Sequence, residues 1–311
     1  MTDYKAIKGK TILNIASDLD NAEGEGEIWF NTTSSDFKTI VKAAGAWSTG
    51  GNINTARTQL GGAGTQTAGI VFGGGPHPKA IAETYDGSSW TEVADLGTAR
   101  YYLTGCGTNT AAIAVGGQTG PGTPNKRDEN ELWDGSTWTE VGDLNTGRSH
   151  SATIGTSTAA LETGGSTPPS IDSVESWNGT SWTEIADLNA DRNEHWGIGT
   201  QTAAAVIGGQ PGVVTLNEIW NGTSWTEAGD INTGRKGGAK GGSGITTAGL
   251  IYAGGPPISG KTESYDGTTW TELADLGTSR YDAAASPAGT NELALCVAGT
   301  TPPVVATSEK W

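Results

Sequence analysis

The chain has 311 residues, with 18 basic and 34 acidic side chains and a formal charge of −16. That balance opposes nonspecific binding to a nucleic-acid backbone or an anionic membrane surface. Forty-nine glycines against one methionine and three phenylalanines, with no apolar run near the roughly 18 residues of a membrane span, exclude a transmembrane helix and point to an all-β chain.

Met1-Thr-Asp-Tyr-Lys lacks the apolar core of a signal peptide, so the expectation is a chain made in a cytoplasm. Residues 1–43 stand apart from the rest of the chain. After Tyr4–Leu13 and a polar link comes Glu27-Ile-Trp-Phe-Asn-Thr-Thr-Ser-Ser-Asp-Phe-Lys-Thr-Ile-Val41, which reads as a β-hairpin turning over Thr32 to Asp36. Its large apolar groups are Trp29, Phe30 and Phe37. A segment this short buries too little core to stand alone, so it is expected to dock elsewhere, as an attachment module.

From residue 44 the chain repeats. Tryptophans at 47, 90, 138, 182, 225 and 270 are each followed ten positions later by an arginine, Arg57, Arg100, Arg148, Arg192, Arg235 and Arg280, a period of 43 to 48 residues. Before the tryptophans of 90 onward stand Asp86-Gly87, Asp134-Gly135, Asn178-Gly179, Asn221-Gly222 and Asp266-Gly267, the strongest local hairpin signal. After each arginine a run of small residues, a turn and a second small or apolar run close on Gly74-Gly75, Gly116-Gly117, Gly164-Gly165, Gly208-Gly209, Gly254-Gly255 or Ala298-Gly299. A loop then leads to Glu-x-Tyr/Trp, at Glu83, Glu131, Glu175, Glu218, Glu263 and Glu309.

Each unit thus predicts four antiparallel strands: A after the arginine, B before the glycines, C at Glu-x-Tyr/Trp and D from the tryptophan. Six units predict a six-bladed propeller over residues 44–311. Trp311 occupies a C position with no D strand after it, and Trp47 begins a D strand with no A, B or C before it. The two ends are therefore expected to pair and close the ring.

The glycine doublet, the Glu-x-Tyr/Trp step and the spaced tryptophan resemble kelch repeats. The resemblance implies the propeller fold. It leaves function open, since kelch-type propellers include protein-binding modules, lectin-like proteins and some enzymes.

Alternating strands put the A–B and C–D turns on one face and the B–C and D–A loops on the other. The first set is short and monotonous. The B–C loops differ from blade to blade and carry the candidate partner-binding residues: His77 and Lys79; Pro124, Lys126, Arg127 and Asp128; Pro168 and Pro169; Val213; Pro257; Pro302. Variable loops on a copied scaffold are where binding usually resides, and proline lowers the cost of ordering them. Because Trp47 opens a D strand, residues 1–43 are expected to enter on the opposite face.

The six arginines and six C-strand glutamates read as structural, because a feature present in every blade marks no single active site. Glu194-His195-Trp196 and Lys236-Gly-Gly-Ala-Lys240 break the small-residue A strands of two adjacent units. His195, Trp196, Lys236 and Lys240 are therefore candidates for the channel mouth, against the alternative that the aromatic only fills a wide ring.

His77, His150 and His195 fall at three different repeat positions, so no catalytic triad or metal cluster is expected, and no cofactor. The paired tyrosines, histidines and cysteine of a galactose-oxidase-type copper site cannot be assembled. The Asp-Gly-Ser-Ser-Trp turn lacks the residue that sialidase Asp boxes hold between Asp and Gly. Cys106 and Cys296 are expected as two buried free thiols, and the Asn-Gly-Thr sequons as hairpin turns.

Gly24–Lys38 is similar to segments of structural and fibre proteins of marine tailed phages, particularly those of cyanobacteria. The resemblance implies a non-enzymatic virion protein, an outward-facing fibre or capsid decoration that could form homo-oligomers. It would join other virion subunits through residues 1–43 and meet a host surface or neighbouring subunit through the B–C face. The alternative is a lectin-like glycan binder, for which the B–C loops lack Trp and Tyr.

Overall fold

The structure, a computed structural model, describes residues 13–15, 28–39, 45–238 and 242–311. The chain divides into two compact units, Met1–Ala44 and Gly45–Trp311. In the first, Leu13–Ile15 pairs parallel with Ile28–Asn31, which pairs antiparallel with Asp36–Thr39. The hairpin turns as the sequence predicts: Asn31 Oδ1 accepts the N–H groups of Thr33 (2.9 Å) and Ser34 (3.1 Å), and Ser35 takes a φ of 60°. Phe30 is half-buried; the side chains of Trp29 and Phe37 lie outside the described residues, as do residues 1–12, 16–27 and 40–43 of the proposed attachment segment and Lys240.

The second unit holds six four-stranded antiparallel sheets. In A, B, C, D order, blade 1 is Gly61–Thr65, Ala68–Phe72, Ala82–Tyr85 and Trp90–Val93. Blade 2 is Thr104–Thr108, Ala111–Val115, Asn130–Trp133 and Trp138–Val141. Blade 3 is Ala152–Thr156, Ala159–Thr163, Val174–Trp177 and Trp182–Glu184. Blade 4 is Trp196–Thr200, Ala203–Ile207, Asn217–Trp220 and Trp225–Ala228. Blade 5 is Ser243–Ile245, Ala248–Tyr252, Thr262–Tyr265 and Trp270–Glu272.

Blade 6 takes Ala284–Ala285, Leu295–Val297 and Ser308–Lys310 from the end of the chain and Ser48–Thr49 from near its start. The closing register is Glu309↔Thr49 and Lys310↔Ser48. The fold is an all-β, six-bladed β-propeller closed by its terminal strands.

Small residues in strand A and glycine near its end let the innermost strands crowd the axis. The fourth residue of strand A in blades 1 to 4, and its equivalent Gly244 in blade 5, is a glycine with φ between 92° and 126°, and a Cβ there would come within 2.1–2.3 Å of the carbonyl that opens strand B. No other residue fits this bulge. At the outer edge the C and D aromatics face each other across the ladder: Tyr85–Trp90 at 4.8 Å between ring centroids, Trp177–Trp182 at 5.3 Å, and across the closure Trp47–Trp311 at 5.5 Å. The apolar core lies between blades. One cluster joins Phe72 and Ile70 of blade 1 to Leu103, Ala112 and Trp133, and it repeats around the ring.

The repeated arginines fasten these blades. Each Nη2 donates to the C-strand glutamate, at 2.5 to 2.8 Å in five blades, with Arg192 to Glu218 the sixth. In five blades Nη1 also donates to the carbonyl before the second doublet residue, from Gly73, Gly116, Gly164, Ala253 or Ala298. All six arginines are buried.

The doublets themselves sit at Gly73–Gly74 and Ala253–Gly254 in blades 1 and 5, one residue earlier than the pattern of adjacent glycines suggests. Only the second position, with φ of 95° to 108°, is always glycine.

Candidate channel-mouth site

Two rings of backbone hydrogen bonds surround the axis on the B–C and D–A face. In the outer one, the N–H of the second doublet residue donates to the carbonyl of an arginine in the next blade, from Gly74→Arg100 (2.8 Å) round to Gly299→Arg57 (3.0 Å). The inner ring uses the residue two after each arginine. Tyr102 N–H donates to Gln59 O, His150 to Tyr102, Glu194 to His150, Gly237 to Glu194, Asp282 to Gly237 and Gln59 to Asp282, at 2.6 to 3.2 Å. All six take the left-handed conformation, with φ between 53° and 60°.

The inner ring is regular in backbone and irregular in side chain: Gln, Tyr, His, Glu, Gly, Asp. Left-handed backbone is disfavoured for most of these types and persists where the surroundings impose it, a pattern that concentrates at functional sites. Here the ring of hydrogen bonds imposes it six times.

The side chains form two polar networks. Tyr102 stacks on His150 at 3.6 Å between centroids, Gln59 Nε2 donates to Tyr102 Oη at 2.7 Å, and His150 Nδ1 meets Ser149 Oγ at 2.7 Å. Lys126 joins this group from its B–C loop, donating to Gln118 Oε1 at 2.5 Å and to Ser149 Oγ; burial lowers its ammonium to about 8. On the other side Lys236 Nζ lies 3.2 Å from Glu194 Oε2 and donates to Gln210 Oε1 at 2.7 Å. Burial, with the charges of Asp282 and Glu194 nearby, pushes the Tyr102 phenol well above its ordinary value, so it remains a hydroxyl donor.

A cavity of about 390 Å³ opens between these networks on the side of blades 5 and 6. Tyr102, Glu194 and Asp282 border it with polar groups, and Pro256, Ile258 and Tyr281 form a more apolar wall. Its size is that of small-molecule sites, roughly 300–1,000 Å³.

The predicted mouth residues divide. Lys236 lines the cavity. His195 and Trp196 do not; they are buried at 2% and 1% exposure. His195 Nε2 contacts Thr163 Oγ1 at 3.1 Å, and burial holds its imidazole neutral, with a pKa lowered to about 3. Trp196 fills the space between blades 4 and 5 where Gly208, Gly238 and Gly254 leave room for it, and Arg235 lies over its ring at 5.5 Å. Gly238, just after Lys236, thus accommodates a neighbour's indole. The residue three after each arginine points into the blade interface, as Leu60, Leu103, Ser151 and Ala283 show beside His195.

The B–C loop residues ring the same face. His77, Pro124, Asp128, Pro168, Pro169, Val213, Pro257 and Pro302 are exposed, and Lys79, Lys126 and Arg127 half-buried. Lys126 and Arg127 are drawn into local pairs, the latter with Glu129 at 3.4 Å.

The aromatic groups missing from these loops come from the D–A loops instead, as half-buried Tyr101, Tyr102 and Tyr281. Sequence reading missed Gln59, Tyr102, His150, Glu194, Gly237 and Asp282 as a set. The available signal was their constant offset of two from the arginine.

Among the described residues no group of three or more His, Cys, Asp or Glu side chains could hold a metal, and no helix is long and apolar enough to cross a membrane. Both cysteines are buried and free.

No protein-family model matches the sequence, and no curated protein matches it. Solved structures do. One described as "Structure of YjhT" superposes with a TM-score of 0.68 over 83% of this chain and 95% of that one, at 13% identity. At that identity the likeness speaks to the fold alone, and it agrees with the six-bladed β-propeller seen here.

Proposed function

We propose that the chain is a non-enzymatic recognition protein of the virion-appendage type, a kelch-like propeller carried on a short N-terminal β module. It is a fibre or decoration of a tailed phage, made in the host cytoplasm and assembled into the particle through residues 1–43. The face bearing the B–C and D–A loops meets the host surface or a neighbouring subunit.

The observation that carries this reading is the contrast at the inner ring. Six equivalent, left-handed backbone positions bear five different side chains and one glycine, encircled by exposed loops of unequal length. Scaffold regularity with side-chain diversity is the pattern of a surface that recognises something other than its own blades. The acidic charge of −16 supports a partner that is neither nucleic acid nor anionic membrane. Within the propeller, Gly45 lies against Trp311, whose indole donates to the Asn291 carbonyl in an A–B turn.

A lectin-like reading is favoured by one specific observation, the tyrosines and cavity on the loop face.

The test compares the full-length chain with one beginning at residue 44, by light scattering and by incorporation into particles. The proposal requires that both fold and that only the full-length chain incorporates or forms homo-oligomers. Equal incorporation, or none for either chain, contradicts it.

A further inference from the structure

The inner ring has one position without a side chain, and the cavity opens there. Gly237 has a φ of 60°, within the range at which Gln59, Tyr102, His150, Glu194 and Asp282 all carry side chains. The backbone therefore does not demand glycine at this position. What the glycine provides is space. A Cβ at Gly237 would stand 3.3 Å from Glu194 Oε2 and 3.4 Å from Asp282 Oδ1, so both carboxylates border the gap.

We propose that this gap is a binding site, one per propeller, for a terminal saccharide unit or similar neutral polyol. The inference rests on reading this face as the recognition surface and names its ligand class. Five features of the site select that class. The cavity is of small-molecule size, which suits a sugar residue and excludes a folded segment. Glu194 and Asp282 supply strong acceptors for ligand hydroxyls and disfavour an anion.

Lys236 Nζ already stands 3.2 Å from Glu194, so a ligand cation approaching that carboxylate would meet an ammonium, whereas a hydroxyl can donate to Glu194 and accept from Lys236. Tyr102, kept protonated, offers a further hydroxyl. Finally, Tyr281, Pro256 and Ile258 present a half-apolar wall of the kind on which the C–H face of a sugar ring rests. A wholly apolar ligand would strip water from these charged groups and return no hydrogen bond for it.

The geometry also makes the site singular. Gly237 is the one ring position of six without a side chain, so the gap it leaves has no copy at the other five ring positions.

The experiment is saturation-transfer NMR on the full-length protein with the methyl glycosides of glucose, galactose, mannose and N-acetylglucosamine, and with tetramethylammonium as the cationic control. At least one glycoside should bind with affinity near the millimolar range, about −4 kcal/mol. Gly237→Gln, which reproduces the residue at position 59, should weaken it by roughly tenfold or more, with a small loss of Tm from the left-handed backbone and a protein that stays folded. Tyr281→Ala should weaken it also; only its backbone makes the bridge to Thr300, so the fold is spared.

The proposal is overturned if no glycoside binds, if Gly237→Gln binds equally well, or if tetramethylammonium binds in preference. Should glycosides fail while blocking the loop face still abolishes attachment, the ligand class falls and the recognition reading stands. Should glycosides bind with no dependence of attachment on the loop face, the reverse holds.

Discussion

Replacing Arg57 by methionine removes one of the six inter-strand clamps, and the structure sets the size of the loss. The guanidinium is wholly buried and makes three hydrogen bonds: to Glu83 Oε1 at 2.7 Å, Gly73 O at 2.9 Å and Ile81 O at 2.6 Å. Glu83 is also at 0% exposure, and its second oxygen accepts from Asn54 N–H at 2.6 Å and Nδ2 at 2.9 Å. Breaking a buried pair costs about 3–5 kcal/mol because the remaining charge has no partner. Each orphaned carbonyl adds about 1–3 kcal/mol, less where relaxation restores contact.

The expected loss for Arg57→Met is therefore about 5 kcal/mol, a large part of the roughly 5–15 kcal/mol that stabilises an ordinary domain. Glu83→Gln keeps an acceptor for Asn54 and strands the arginine, at about 3 kcal/mol. The double variant should cost less than the sum by about 2 kcal/mol, since neither charge is then left alone. Urea unfolding of the four proteins measures this cycle. Single costs below about 1 kcal/mol, the range of exposed pairs, would refute the clamp, as would additivity within about 0.5 kcal/mol.

Three further outcomes rest on buried groups and on closure. Glu162 is fully buried beside Thr153 Oγ1 at 2.6 Å, and desolvation raises its pKa. The folded state therefore holds this proton more tightly than the unfolded one, and its contribution to stability is present at low pH and lost as pH rises above the ordinary carboxylate range. Glu162→Gln should gain on the wild type progressively as pH rises above the ordinary carboxylate range in thermal melts; an advantage that shrinks with pH would contradict this.

Burial also raises both thiols, Cys296 to about 12, so neither should react with a thiol reagent until the protein unfolds. Rapid modification of the native protein would count against the buried assignment. Removing residues 1–49 takes away Ser48–Thr49 and exposes the edge of Ser308–Lys310. That chain should self-associate, whereas one starting at residue 44 should not, as sedimentation velocity would show.

The blades were legible because their spacing rests on residues with fixed jobs. The tryptophan needs its cross-strand partner, the arginine its glutamate, and the second doublet glycine its positive φ, so chemistry recurs with structure. The closure was legible for the same reason, from a C-type end at Trp311 and a D-type start at Trp47. The mouth was hidden because its six residues share a backbone state and no side-chain chemistry.

One position of offset decided the rest. Glu194 faces the mouth, His195 faces the blade interface, and Trp196 packs between blades 4 and 5, so a bulky residue next to the ring was read as part of it. Looking for aromatics in the B–C loops alone likewise missed Tyr101, Tyr102 and Tyr281. They come from the D–A loops, which reach the same face through bridges such as Tyr101↔Gln118.

The most direct test of the recognition face attaches a maleimide polyethylene glycol to a single introduced cysteine, at Pro168→Cys in a B–C loop or Thr223→Cys in a C–D turn. Both positions are exposed, and the native thiols are buried. Binding of the labelled full-length protein to host cells is then measured. The account predicts that the polymer at position 168 abolishes binding and that the same polymer at position 223 leaves it intact. Loss from position 223 alone, or equal binding from both, would contradict it.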